Sequence, residues 1–323
     1  MKILVTRQIP EVGLQMLNAK GFEVVVRSET KPLTYDELTE YAKNFDALIT
    51  TSKEKIDGKF LRENAHLKVI SQYAAGFDNI DIETATQLKI PIGNTPQAMN
   101  NATSDVAFGL MIAVARDFFQ QHKRILKNDY PVFKPKADLG IELDGKTLGI
   151  FGLGAIGFEM ARKCKAAYNM KIVYCNRTPN PKAEAELGAE LLNFDDFLRV
   201  SDVISIHSNL SLDTLYKFDY EAFTKMKPTA IFLNTARGKV VVEADLIRAL
   251  RENLIYGAGL DVTDPEPMDA NNPLLDMKNV CVLPHIGSAT IEARDEMSRL
   301  AAENLIRFVE EGKMTFCVNP AVL

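Results

Sequence analysis

Short apolar runs alternate with amphipathic stretches along nearly the whole 323-residue chain, and that rhythm leaves few folds open. KILVT (2–6), FEVVV (22–26), ALIT (47–50) and LKVIS (67–71) have the length and β-branched content of buried strands. Helix-patterned segments at 10–19, 35–43 and 57–64 lie between them. Thr34 and Glu37 have capping-box spacing, which predicts a helix start there. A second set follows: TLGIFG (147–152), KIVYC (171–175), VISIH (203–207), TAIFLN (229–234), GAGLD (257–261) and VCVLP (280–284). Strands alternating with helices predict parallel sheets covered on both faces. An amphipathic run at 101–119 and a polar, proline-containing stretch at 127–146 separate the sets.

Gly152-Leu153-Gly154-Ala155-Ile156-Gly157 stands directly after the apolar strand TLGIF and directly before the helix-patterned FEMARKCKAA. A lone GxGxxG says little, but strand before and helix after are the context of a dinucleotide-binding turn. Gly152 permits the tight turn, Gly154 lets the backbone approach a pyrophosphate, and Gly157 lets helix and strand pack closely. The pyrophosphate is then held by free N–H groups at the positive end of the helix. The chain therefore reads as α/β with two doubly wound parallel-sheet domains. Residues 100–287 form a Rossmann dinucleotide-binding domain; 1–99 and 288–323 form a smaller, discontinuous flavodoxin-like substrate domain, to which the last helical stretch (288–311) returns.

The next strand bears on cofactor choice. An NAD site ends that strand with an acidic residue for the ribose 2′-OH. Here Cys175 takes that place, followed by Asn176-Arg177-Thr178. Without the carboxylate there is no repulsion against a 2′-phosphate, and Arg177 offers it charge-assisted bonds, helped by the Asn176 and Thr178 side chains. NADP(H) is the favoured cofactor, with NAD(H) still accommodated.

Three later segments each follow a strand: Asn234-Thr235-Ala236-Arg237-Gly238, then the tract from Asp261 to Glu266, then His285-Ile286-Gly287-Ser288. They place an arginine, a carboxylate and a histidine on the sheet edge that carries the glycine turn. Reducing a 2-oxo acid needs a cation to hold the carboxylate and polarise the ketone, and an acid to protonate the oxygen. Arg237 suits the first task through its planar fork of donors. His285 suits the second, because a histidine titrates near working pH, and Glu266, if paired with it, favours the imidazolium.

Composition removes other readings. A net charge of −5 without a basic stripe argues against a nucleic-acid partner. No stretch approaches the roughly 18 uninterrupted apolar residues of a membrane span. The opening MKILVTRQIP enters a strand at once and lacks a signal-peptide pattern, so the cytoplasm is the expected location. Cys164, Cys175, Cys281 and Cys317 show no paired spacing, so neither a metal site nor a disulfide framework is expected.

At these residues the chain resembles the D-isomer-specific 2-hydroxyacid dehydrogenase family over nearly its whole length. The tract GAGLDVTDPEPMDANNPLLDMKNVCVLPHIGSAT is similar in particular to the glyoxylate/hydroxypyruvate reductase branch. The resemblance implies an Arg–Glu–His set at Arg237, Glu266 and His285, with His285 as proton donor. It implies a substrate site between the domains, its carboxylate held by Arg237 and by backbone N–H groups of Ala74-Ala75-Gly76. It also implies cofactor contacts at Thr103, Ala155, Ile156, Ser208, Thr235, Ala236 and Gly287, with Asp261 near the nicotinamide carboxamide. The helix that Thr103 begins is the family's usual dimer contact, which implies a homodimer.

Two departures stand out. Cys175 replaces the family's acid, and Asn209 stands where many members have proline. The expected activity is NAD(P)H-dependent reduction of a small 2-oxo acid, glyoxylate or hydroxypyruvate, to the D-2-hydroxy acid. The rivals are a 2-ketogluconate reductase and a short phosphoglycerate dehydrogenase, and loops 50–55 and 73–79 with residues such as Met268 and Arg294 are expected to form the side-chain pocket that separates the substrates. A regulator that senses dinucleotides is the alternative of another class; turnover at ordinary enzyme rates separates it.

Overall fold

The structure is a computed structural model and describes residues 1–28, 31, 33–129, 132–133 and 135–323. Within the polar stretch expected at 127–146, residues 130, 131 and 134 lie outside the described residues. The chain divides into two compact units, Met1–Met99 with Ala289–Leu323, and Asn100–Ser288.

The first unit contains β1 (Lys2–Val5), β2 (Glu23–Val26), β3 (Ala47–Thr50), β4 (Val69–Gln72) and β5 (Ile92–Gly93), all parallel in the order β2-β1-β3-β4-β5. Successive strand residues point to opposite faces, and both faces are covered. Ile3, Val5, Ala47, Ile49 and Val69 pack with Ala301 and Leu305 of helix Ile291–Glu311. Leu4, Leu48 and Ile70 pack with Leu38, Phe60 and Leu61 on the other side. Helix Tyr35–Ala42 starts at the expected capping box: Thr34 Oγ1 accepts the Glu37 N–H at 3.3 Å and Glu37 Oε2 accepts the Thr34 N–H at 2.8 Å. Ser298, on the last long helix, accepts the Gly13 N–H at 3.2 Å and donates to Pro10 O at 2.7 Å. That pair of bonds ties the end of the chain to its beginning.

The second unit contains β6 (Thr147–Phe151), β7 (Lys171–Cys175), β8 (Glu190–Leu191), β9 (Val203–Ile206), β10 (Ile231–Asn234), β11 (Gly257–Leu260) and β12 (Val280–Val282). They form one parallel sheet in the order β12-β11-β10-β9-β6-β7-β8. The chain runs outward from β6 to β8, then crosses back to β9 on the other side of β6. Ligands of doubly wound sheets collect at the carboxyl ends of strands beside such a reversal. Leu148, Ile150, Tyr174 and Leu233 pack under helices Asn100–Ala115 and Ala155–Tyr168. Phe151, Ile204, Ile206 and Phe232 face the other layer with Phe197, Phe218 and Phe223.

Two features depart from the sequence reading. The run at 101–119 is not one helix: Asn100–Ala115 ends and Phe118–Leu126 begins, with Asp117 between them at φ 53. A short polar side chain tolerates that left-handed conformation better than a bulky one. β5 and β8 were not expected, since two residues cannot display an alternation. Among the described residues no helix is long and apolar enough to cross a membrane.

Candidate active site

The glycine turn has the geometry its residues dictate. Gly152 sits at φ +92, and a Cβ there would lie 2.5 Å from Ser208 N. A side chain is thus barred by conformation and by contact with the segment after β9. A Cβ on Gly157 would lie 2.9 Å from Gly152 O, whereas one on Gly154 would meet nothing within 4 Å. Helix Ala155–Tyr168 begins there with no side-chain cap; Ala155 is exposed and Ile156 half-buried. The result is an open cradle in front of uncapped amides, which suits an anion.

At the end of β7, Asn176 engages the glycine turn. Its Oδ1 accepts the Leu153 N–H at 2.7 Å and its Nδ2 donates to Leu153 O at 3.4 Å, so its amide braces the glycine turn. Asn180 Nδ2 donates to the same carbonyl at 3.0 Å. The bond to Leu153 O uses one of the two N–H donors of the Asn176 amide. Arg177 and Thr178 are exposed beside it. Cys175 is half-buried, and its thiol pKa is raised by burial, partly offset by the charge of Lys217.

Two hydroxyls at this edge lack partners. Ser208 Oγ and Thr235 Oγ1 are buried and form no hydrogen bond. Buried polar groups are normally satisfied, so an orphaned pair invites a polar ligand. Together with the Gly154 cradle they fit a bound dinucleotide. Ala236 is buried next to Thr235, and its N–H donates to Asn234 Oδ1 at 3.0 Å. Thr103 Oγ1 donates to Gly287 O at 3.0 Å, which joins helix Asn100–Ala115 to the segment carrying His285.

Arg237, Glu266 and His285 follow the adjacent strands β10, β11 and β12. Asn234 shapes the arginine turn: its Nδ2 donates to Arg237 O at 2.9 Å. Arg237 is half-buried, with Nη1 donating to Ala236 O at 2.8 Å. A Cβ on Gly238 would lie 2.0 Å from Thr263 O, so this turn touches the backbone that leads to Glu266. His285 Nδ1 stands 2.6 Å from Glu266 Oε1. His285 adopts φ 56, and Asp261 accounts for that conformation. Asp261 is almost wholly buried and accepts the Ile286 N–H on Oδ1 and the Gly287 N–H on Oδ2, both at 2.8 Å. Burial raises its carboxyl pKa, and the two N–H donors oppose the shift. Both Asp261 oxygens are therefore engaged in holding the histidine turn.

Residues 108–287 match the family model described as D-isomer specific 2-hydroxyacid dehydrogenase, NAD binding domain. The chain belongs to the D-isomer-specific 2-hydroxyacid dehydrogenase family. It is 44% identical over 311 residues to glyoxylate reductase of Pyrococcus furiosus, covering 95% of this chain and 92% of that one. Among solved structures it is similar to a glyoxylate reductase from Paecilomyes thermophila, with TM-score 0.87, 32% identity and 98% of both chains covered. It is also similar to an NADPH-dependent glyoxylate/hydroxypyruvate reductase from Sinorhizobium meliloti in complex with NADP and malonate. There the TM-score is 0.83 and the identity 27%, over 99% of this chain and 97% of that one.

This dehydrogenase is thus an oxidoreductase whose second unit has the form that binds a nicotinamide dinucleotide. In its first unit, the loop after β4 has its carbonyls hydrogen-bonded. Ala74 O accepts from Thr95 N at 2.9 Å, Ala75 O from Asn94 Nδ2 at 2.8 Å and Gly76 O from Gln72 Nε2 at 2.6 Å. Arg294 lines a cavity of about 470 Å³ with Gln8, Tyr73 and Thr290, while Met268 packs on the core of the second unit. The bracing roles of Asn176, Asn234 and Asp261 were missed from the sequence. Asparagine or aspartate at a strand end is the signal that was available.

Proposed function

We propose that this dehydrogenase reduces small 2-oxo acids, glyoxylate and hydroxypyruvate foremost, to D-2-hydroxy acids, with NADPH preferred over NADH. The observation that carries the reading is the Glu266–His285 contact of 2.6 Å on a turn clamped by Asp261. A bound reduced nicotinamide would supply the hydride for C2. Glycine-turn amides at Ala155 and Ile156 hold the pyrophosphate, and Ser208, Thr235 and Ala236 take further dinucleotide contacts. Thr103 and Gly287 stand on the cofactor side, and Asp261 orients the histidine turn there. Arg237 grips the substrate carboxylate and ketone oxygen. With Nδ1 held by Glu266, His285 delivers its Nε2 proton to the ketone oxygen and is left neutral.

NADPH preference is supported by Cys175 at the strand end and by the exposed Arg177. A homodimer is part of the same reading. It is supported by Phe118, Ile125, Leu126, Phe133 and Leu139, which are exposed in one stretch of the second unit. Light scattering tests the dimer. Steady-state oxidation of NADPH and NADH against glyoxylate, hydroxypyruvate, 2-ketogluconate and 3-phosphohydroxypyruvate tests the activity. A kcat/KM advantage for glyoxylate or hydroxypyruvate with NADPH is expected. Preference for a larger acid would move the substrate, and absence of turnover would defeat the enzymatic reading.

A further inference from the structure

The end of β7 is flanked by a cation that the sequence reading did not single out. Phe151, the last residue of β6, is in register with Cys175, the last residue of β7. The Phe151 ring lies 5.8 Å from the Phe194 ring and 5.1 Å from the Phe218 ring. Lys217 precedes Phe218, and its Nζ stands 4.5 Å from the Phe194 centroid. This chain of contacts holds an ammonium on the aromatic cluster that Cys175 packs against, and Cys175 ends the strand where a 2′-OH-binding acid is missing. Its field reaches the strand end itself, since it offsets part of the rise that burial imposes on the Cys175 thiol. Among the described residues no carboxylate stands within ion-pair distance of Lys217.

We infer that Lys217 reads the 2′-phosphate of the dinucleotide together with Arg177, an assignment that rests on the NADPH reading above. The chemistry favours it. A dianionic phosphate has three acceptor oxygens, more than one guanidinium fork satisfies. Asn176 commits one of its two amide N–H donors to Leu153 O, so it offers at most one more bond. An ammonium on a flexible stem, steadied by one aromatic face, reaches a second oxygen without a fixed geometry. A ribose 2′-OH carries no charge for it to meet, so the lysine discriminates by charge.

The test is calorimetric titration of 2′,5′-ADP and 5′-AMP into the full chain, with Lys217→Met, Lys217→Arg and Arg177→Ala alongside the parent. The parent should bind 2′,5′-ADP more tightly than 5′-AMP. Lys217→Met should weaken 2′,5′-ADP about tenfold, the low end for a bond to a charged group, and leave 5′-AMP unchanged. Lys217→Arg should keep most of the affinity, and an unchanged Tm confirms intact folds. If Arg177→Ala alone loses the 2′-phosphate preference and Lys217→Met keeps it, the lysine assignment falls while NADPH preference stands. Equal losses for both ligands with Lys217→Met also overturn it. A parent that binds both ligands equally overturns the NADPH reading and the lysine with it.

Discussion

Glu266 Oε1 lies 2.6 Å from His285 Nδ1, which orients the imidazole through that ring nitrogen. His285→Ala should lower kcat by roughly 100- to 10,000-fold, the usual scale for a general acid. Glu266→Gln keeps the shape and loses the charge; it should cost roughly 10- to 100-fold in kcat. Steady-state kinetics decide. A loss under threefold for His285→Ala would remove it from the proton-donor role.

Arg177 is the exposed cation immediately past the Cys175 strand end. Arg177→Ala should weaken NADPH by about 1.5–3 kcal/mol, the scale of a hydrogen bond to a charged group, and leave NADH nearly unchanged. Fluorescence titration with each cofactor measures this. Equal losses would mean that Arg177 does not read the phosphate.

Gly152 combines φ +92 with a missing Cβ that would fall 2.5 Å from Ser208 N. Gly152→Ala should destabilise the protein by about 2–4 kcal/mol through backbone strain and overpacking. It should also weaken NADPH and NADH alike, because the turn serves the part they share. Urea unfolding and cofactor titration check both halves. An unchanged midpoint would refute the account of the turn.

His207 follows β9, with Nε2 2.8 Å from Ser205 Oγ, and burial pushes its pKa down to about 3. The unfolded chain protonates this residue near 6.5, so between those values the unfolded state binds the extra proton. Its contribution to stability is therefore complete above pH 6.5 and lost as pH falls toward 3, by at most about 1.4 kcal/mol per pH unit. His207→Asn should remove that slope. Urea midpoints for both proteins from pH 7.5 to 4 give the comparison, and parallel profiles would contradict it.

Much of this architecture was legible because it is local. The strand at 171–175 and the capping box at Thr34 and Glu37 depend on residues a few positions apart, and they appear where the pattern put them. β5 and β8 were not legible, because each is defined by a neighbour in the sheet and not by its own two residues. The same divide runs through the candidate site. Arg237, Glu266 and His285 could be picked out as polar residues just past apolar strands.

The sequence alone determined two parallel α/β sheets, a glycine turn between strand and helix, and that Arg237, Glu266 and His285 each follow a strand. Backbone sterics and side-chain periodicity act over a few residues, so they can be read without knowing the fold. Only the tertiary structure decided which polar groups meet. Asp261 chose the Ile286 and Gly287 amides, Asn176 chose Leu153, and Lys217 came to rest on Phe194. Each of these groups had several partners within its chemical reach, and the choice among them was made by the packing of elements distant in sequence.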